Sequence, residues 1–235
     1  AFKNFIRPFN LELSPLIRVG IREGIKDTFL IIDIHHIIAD GATIALLVTE
    51  LIQLYNGEKL EQLSIQYKDF AIWQRDFLQS DEIDIQEEYW LNRFSEPIPT
   101  LELPVDYQRP AVMNFKGDKI NFKTGQELTA KLEEFIREEG GTLYTLLLTG
   151  LNILLSKYSG QEDIIIGSPF EGRPTSQLKK VTGMFVNTLP MRNRPFADQS
   201  VTEFYQQVKD NAFAAYDHQD YQFEMLVEKL NQQGQ

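Results

Sequence analysis

Two adjacent histidines, and an aspartate-glycine pair shortly after them, are the residues of this chain best suited to chemistry. His35 and His36 follow an apolar run, and Asp40 and Gly41 follow four residues later. A neutral imidazole can accept a proton from an attacking amine, and such a base contributes about 10²–10⁴-fold to a rate. Asp40 then has two candidate roles, because its carboxylate can orient an imidazole or hold the loop.

The histidines lie at the end of a predicted strand. Residues 29–36 form a nearly continuous, β-branched apolar run of strand length, which predicts a buried strand. Since side chains alternate along a strand, we expect His35 and His36 to point to opposite faces, one of them structural and the other in a cavity. A plainer alternative is that both histidines are hydrogen-bonded polar groups capping the strand. That alternative leaves the Asp-Gly pair unexplained, because the glycine allows close approach of a backbone or ligand.

Several other chemistries are excluded by the residues present. Adjacent histidines on a regular strand cannot both face one zinc ion, and no third ligand follows at a familiar spacing, so no metal site is predicted. The chain has no GxSxG elbow, phosphate loop or dinucleotide fingerprint. It has no cysteine, which excludes disulfides and thiolate sites and is typical of a cytoplasmic protein.

Charge and hydropathy exclude further classes of partner. The formal net charge of −11 disfavours binding to nucleic acid or to an anionic membrane. The longest apolar stretch, residues 143–155, is too short to span a bilayer and predicts a buried helix.

Elements of both types follow one another along the chain, which predicts a mixed α/β fold. Helical periodicity is predicted at residues 44–55, 67–78, 85–94, 128–136 and 202–216, and strands at 119–123, 163–167 and 184–189. Thr142 is expected to cap the helix that follows it. A proline-rich connector near residues 97–110 predicts a lobe boundary between residues 80 and 110.

The histidine segment resembles the hallmark HHxxxDG of the condensation domains of nonribosomal peptide synthetases. Further blocks resemble the same family in order along the chain. They are PFNLELSPLIRVGI (8–21), IQYKDFAIWQR (65–75), EYW (88–90), LPVDYQRP (103–110), YSGQEDIIIGSPFEGRP (158–174), GMFVNTLPMR (183–192) and HQDYQFEMLVEKL (218–230).

The resemblance implies a two-lobed α/β fold like that of chloramphenicol acetyltransferase, with a mixed sheet and helices in each lobe and an active-site tunnel between the lobes. Residues 1–85 then belong to the N-terminal lobe and residues 86–235 to the C-terminal lobe, with the domain incomplete at both ends. The implied enzyme is an acyltransferase of antibiotic biosynthesis and secondary metabolism. It joins a donor aminoacyl or peptidyl thioester to the amine of an acceptor aminoacyl thioester.

The resemblance also implies roles for individual residues. His36 is the candidate base or amine-positioning group, with His35 beside it, and Gly41 lines the path of the pantetheine arm. Asp40 is expected to be structural and paired with an arginine, and Arg173 is the predicted partner. Two other residues stand in family motifs near the tunnel, Asn187 and Trp90, although each also suits a core or strand-edge position. His218 is predicted to end a helix.

The implied partners are donor and acceptor peptidyl carrier proteins, whose 4'-phosphopantetheine carries the substrates, and an adjacent adenylation domain. No directly bound cofactor is predicted. The histidine block favours an L-configured donor. An epimerisation domain and an inactive recruitment domain remain alternatives, since both occur among proteins with this motif or fold.

Overall fold

A computed structural model describes residues 5–108, 110, 112 and 117–234, and these form two units. The first unit consists of the described residues up to Ile83 together with Phe170–Asn187, and the second of Asp84–Pro169 with the residues from Thr188 onward. The lobe division at residues 85 and 86 stays a prediction. Arg109, in one of the family-like blocks, lies outside the described residues.

A two-stranded antiparallel sheet opens the first unit. Strand β1 (Ile17–Glu23) pairs with β2 (Thr28–Ile34), with Ile17 opposite Ile34. The β-branched residues favour the strands, but the prediction that β2 is buried was wrong, since Phe29 and Ile32 are exposed. The physical reason is that two strands alone cannot cover the faces of their own sheet.

Two helices and an apolar cluster complete the first unit. Helix α1 (Gly41–Tyr55) and helix α2 (Tyr67–Phe77) lie where the helical periodicity predicts them. The cluster joins α2 to the returning segment 170–187, and its buried members are Phe70, Leu178, Val181 and Phe185. The cluster packs the returning segment against α2.

The second unit is mainly helical. Its elements are α3 (Asp81–Arg93, which begins at the end of the first unit), α4 (Gln126–Glu139), α5 (Leu143–Ser159), α6 (Val201–Asp217) and α7 (Phe223–Gln232), with strands β3 (Ile164–Phe170) and β4 (Asn187–Asn193) paired in a second sheet. Thr142 caps α5, as predicted, by accepting a hydrogen bond from the Thr145 N–H. The mixed α/β class predicted from the sequence is therefore confirmed.

Four local predictions were wrong or shifted. Residues 119–123 form no strand among the described residues, because their alternating pattern has no neighbouring strand to pair with. Helix α3 begins at Asp81, four residues earlier than predicted, and β4 begins at Asn187, three residues later than predicted. Helix α5 is present but is not buried all round, since the Leu147 side chain is 57% exposed.

One buried arginine joins α3 to β4 in the second unit. The Arg192 guanidinium pairs with Asp163 and donates hydrogen bonds to the carbonyl oxygens of Arg93, Glu96 and Pro97. These hydrogen bonds reach the carbonyl of the last residue of α3 and two carbonyls of the chain that follows it. In the described part of the chain, no helix combines the length and the apolar character needed to cross a bilayer.

Candidate active site

The histidines stand just beyond β2 rather than in it. Strand β2 ends at Ile34, and a short 3₁₀ helix runs over His36–Ile38. His35 caps this turn, because its Nδ1 accepts a hydrogen bond of 3.1 Å from the Ile37 N–H. The expected alternation of the two histidines along a strand therefore does not apply. His35 is the structural member of the pair, and its Nδ1 is occupied by this hydrogen bond.

His36 has an exposed side chain. Its imidazole makes no hydrogen bond, ion pair or ring contact with any residue that the structure describes. Its backbone is fixed, because the His36 carbonyl accepts a hydrogen bond of 3.3 Å from the Ala39 N–H. The loop thus holds the residue in place and leaves both ring nitrogens available to a substrate.

Asp40 holds the loop and does not orient His36. Its Oδ1 caps α1 by accepting a hydrogen bond of 2.8 Å from the Thr43 N–H. Its Oδ2 accepts a hydrogen bond of 3.1 Å from the Phe185 N–H. One carboxylate therefore ties the start of α1 to the returning segment.

Arg173 forms the ion pair that was predicted with Asp40. Its Nη1 and Nη2 lie 2.6 and 3.0 Å from the two Asp40 oxygens, and the Arg173 and Asp40 side chains are 1% and 0% exposed. The guanidinium carbon also lies 4.1 Å from the centroid of the Phe185 ring, in cation–π geometry. A bidentate pair in this environment fixes geometry strongly.

The electrostatics of the Asp40 carboxyl follow from these contacts. Burial alone would raise its pKa, but the hydrogen bonds from Arg173 and from the N–H groups of Thr43 and Phe185 outweigh that effect and lower the pKa from 3.8 to about 2. Asp40 is therefore ionised throughout the physiological range and is unsuited to proton transfer.

Gly41 has open space where its side chain would be. A Cβ built there meets no described atom within 4 Å, and its φ is not positive. Neither packing nor backbone conformation requires glycine at this position. By contrast, Gly172 has φ of 65° and its Cβ would lie 2.0 Å from the Phe185 carbonyl oxygen, so glycine is required there for structural reasons.

The remaining predicted residues lie at other places in the fold. Asn187 is buried at the start of β4, at the end of the returning segment of the first unit. Trp90 belongs to the second unit, where it is 2% exposed and donates a hydrogen bond of 2.8 Å from Nε1 to the His218 carbonyl. His218 ends α6, as predicted. The contacts of Trp90 are those of a core residue.

Several residues around the Asp40–Arg173 pair were not predicted from the sequence. The hydroxyl of Thr43 is hydrogen-bonded to Gly183 and to Arg173, and the Tyr67 hydroxyl donates to the Met184 carbonyl over 2.8 Å. Thr43 stands three residues after Asp40, and an N-cap aspartate typically accepts a hydrogen bond from the N–H at that position. The cap pattern therefore predicts the contact of the Thr43 backbone but not the contacts of its side chain. No pattern indicated the contacts of its hydroxyl.

The comparisons with known proteins identify the family. The family described as the condensation domain matches residues 1–235. The chain belongs to the condensation-domain family. This condensation domain is 49% identical over 229 residues to tyrocidine synthase 3 of Brevibacillus parabrevis, and 49% identical over 230 residues to bacitracin synthase 3 of Bacillus licheniformis. Each match covers 97% of this chain but 4% of the relative.

Solved structures share the fold of this condensation domain. A four-domain nonribosomal peptide synthetase superposes with a TM-score of 0.83 at 29% identity, and the match covers 94% of this chain and 17% of that one. The first condensation domain of the calcium-dependent antibiotic synthetase superposes with a TM-score of 0.77 at 18% identity, covering 97% of this chain and 52% of that one. The chain thus spans about half of that condensation domain, and the chloramphenicol-acetyltransferase-like fold class is confirmed.

Proposed function

We propose that this condensation domain joins two carrier-bound substrates through an amide bond at His36. Condensation domains of nonribosomal peptide synthetases are acyltransferases that form amide bonds. The observation that carries the proposal for this chain is the state of His36. Its imidazole is exposed and unbonded among the described residues, on a loop that Asp40 and Arg173 anchor through a buried ion pair.

The proposed reaction is aminolysis of a thioester. The acceptor's amine nitrogen attacks the donor's carbonyl carbon, a C–N bond forms and the C–S bond breaks. The amine loses a proton, and the departing thiolate of the donor's pantetheine arm takes one up. The products are an amide on the acceptor arm and a free thiol on the donor arm, so no oxidant, metal or additional cofactor is required.

His36 can serve this reaction in two ways. Its free imidazole nitrogen can take the proton from the amine, a role that contributes about 10²–10⁴-fold. It can also hold the amine by a hydrogen bond, in which case the gain comes from placing the amine against the carbonyl. The fixed backbone of the loop supports both roles.

The open space at Gly41 supports its proposed place beside the pantetheine arm. The substrates are aminoacyl or peptidyl groups on the 4'-phosphopantetheine of carrier proteins, and the donor is L-configured, as the histidine block favours. The proposed partners are a donor carrier, an acceptor carrier and an adjacent adenylation domain. The relatives named as peptide synthases support this setting.

The experiment uses the full-length synthetase in which this domain is proposed to lie. Donor and acceptor carriers are loaded with aminoacyl-phosphopantetheine, and dipeptide on the acceptor carrier is detected by intact-protein mass spectrometry. Wild type is compared with His36→Ala, and both L- and D-configured donors are offered. We expect dipeptide from the L-donor with wild type and a loss of at least about 10²-fold with His36→Ala.

Two other functions correspond to other outcomes of the same experiment. Exchange of the donor's α-proton with solvent, without dipeptide, would indicate epimerisation. The absence of both reactions from folded protein would favour recruitment of another protein. The X-domain from teicoplanin biosynthesis shares the fold of this chain, with a TM-score of 0.84 at 24% identity. Its structure was solved in complex with OxyB.

A further inference from the structure

Thr43 is a buried residue whose hydroxyl contacts two segments at once. It lies in the first turn of α1 and is 1% exposed. Its Oγ1 donates a hydrogen bond of 2.7 Å to the Gly183 carbonyl and accepts one of 3.0 Å from the Gly183 N–H. It also accepts a hydrogen bond of 3.1 Å from Arg173 Nη2. Since a hydroxyl has one proton and two lone pairs, this one is fully used.

The segment around Gly183, which Thr43 holds from α1, is packed tightly against α2 on its other side. A Cβ on Gly183 would lie 2.0 Å from Cδ2 of the Tyr67 ring, so glycine is the residue that fits between α2 and the segment. The Tyr67 hydroxyl fixes the next residue through the Met184 carbonyl. This segment, residues 181–185, is thus held between a threonine of α1 and a tyrosine of α2, and Asn187 follows two residues after it, at the start of β4.

The same turn of α1 also fixes the histidine loop. Asp40 caps this turn through the Thr43 N–H, and the preceding residue, Ala39, holds the His36 carbonyl. Thr43 therefore contributes its N–H to the anchor of the histidine loop and its hydroxyl to the anchor of the 181–185 segment. A shift between these two segments would move His36 relative to Asn187.

We propose that Thr43 is a positioning residue for the condensation reaction, and that its hydroxyl sets the place of the His36 loop against the segment that leads to Asn187. This inference rests on the function proposed above. Thr43 does not touch the substrate; it acts through the two segments that it joins. A displacement of about 1 Å at a reacting group can lower a rate about 10²-fold, so a small shift is sufficient.

The test compares three single substitutions in the full-length synthetase. Thr43→Val replaces the hydroxyl by a methyl group. It leaves the Gly183 N–H without its acceptor and leaves the Gly183 carbonyl with only the longer hydrogen bond of 3.4 Å from Arg173 Nη2. Thr43→Ser keeps the hydroxyl. The matched control is Thr149→Val in α5, where an equally buried threonine donates a hydrogen bond of 2.8 Å to Thr145 within its own helix. This control reproduces the chemical change far from the proposed anchor in sequence and in another unit.

Two readouts are measured, and the second does not depend on activity. The first is the dipeptide rate at saturating acceptor carrier, together with the acceptor concentration at half saturation. The second is amide hydrogen exchange at Ala39, Gly183 and Phe185. We expect Thr43→Val to lower the saturated rate about 10- to 100-fold with little change in half saturation, and to speed exchange at Gly183 and Phe185. Thr43→Ser should stay within about threefold of wild type in both readouts.

Three results would contradict the positioning role of Thr43. A folded Thr43→Val protein with a wild-type rate, a serine variant as slow as the valine variant, or an equal loss in Thr149→Val would overturn the proposal. If the valine variant does not fold, Thr43→Ala takes its place, because a water can satisfy the polar groups of Gly183 and keep the protein folded. The saturated rate should still fall about tenfold, since a water does not fix the spacing of the two segments as the hydroxyl does. If wild type makes no dipeptide, the proposed function fails, and unchanged exchange at Gly183 in the variant would then reject the positioning role on its own.

Discussion

Replacing Asp40 with asparagine should destabilise the first unit strongly. Asparagine has nearly the same shape, but it cannot neutralise the Arg173 guanidinium, which is buried with a side-chain exposure of 1%. Removing one partner of such a pair costs about 3–5 kcal/mol. A second figure comes from the pKa of Asp40, whose fall from 3.8 to about 2 corresponds to roughly 2–3 kcal/mol. The first figure is larger because it includes the unpaired arginine, and we therefore expect a loss of about 3–5 kcal/mol at pH 7.

The difference in unfolding free energy between wild type and Asp40→Asn should also depend on pH, and the lowered pKa of Asp40 gives the direction. A carboxyl whose pKa is lowered by folding stabilises the protein above its unfolded pKa, and this contribution is lost as the pH falls through the folded value. Wild type should therefore lose its advantage over Asp40→Asn by roughly 2–3 kcal/mol between about pH 5 and pH 2. The stability gap should be constant from about pH 5 to pH 8.

Urea unfolding followed by tryptophan fluorescence and circular dichroism measures this gap. The matched control is Asp76→Asn, which makes the same chemical change in an ion pair with Arg75 whose side chains are more than half exposed. An exposed pair contributes about 0–1 kcal/mol, so this control should resemble wild type. The reasoning is refuted if Asp40→Asn loses no more stability than Asp76→Asn at pH 7, or if the gap does not narrow in acid.

Four further substitutions separate structural roles from functional ones. Gly41→Ala should leave the unfolding midpoint unchanged or slightly raised, because its Cβ meets no described atom within 4 Å, yet lower dipeptide formation at least about tenfold if the pantetheine arm passes there. Gly183→Ala should cost about 1–3 kcal/mol in urea unfolding by overpacking, whereas Gly150→Ala, a helical position with open space, should gain about 0.5–1 kcal/mol. Trp90→Phe should lower thermal stability by about 1–3 kcal/mol, since it leaves the His218 carbonyl without its indole donor, and leave the half-saturating acceptor concentration unchanged.

The sequence predicted most helices because their evidence is local. The apolar spacing of α1 and α6 and the capping threonine before α5 are all readable within one or two turns, and the structure places these elements within a few residues of the prediction. The burial of β2 was not readable, because an apolar run shows what a strand would bury but not whether another element covers it.

The contacts that hold the histidine loop were predicted only in part. The resemblance supplied Arg173 as the partner of Asp40, although 133 residues separate the two, and the structure contains this pair. The turn at His36 was missed, since strand periodicity continued through the histidines while the hydrogen bond from Ile37 to the His35 ring ends the strand. Thr43 and Gly183 were missed because their hydrogen bonds join segments 140 residues apart, a distance over which no local pattern carries information.

The most direct test of the central claim is a single-turnover measurement of amide formation with wild type and His36→Ala in the full-length synthetase. Loaded donor is mixed with increasing loaded acceptor, the reaction is quenched on the millisecond-to-second scale, and dipeptide is counted by intact-protein mass spectrometry. We expect the saturated rate to fall about 10²–10⁴-fold in the variant, with the half-saturating acceptor concentration nearly unchanged. A folded His36→Ala protein that forms dipeptide at the wild-type rate would contradict the assignment of the chemistry to His36.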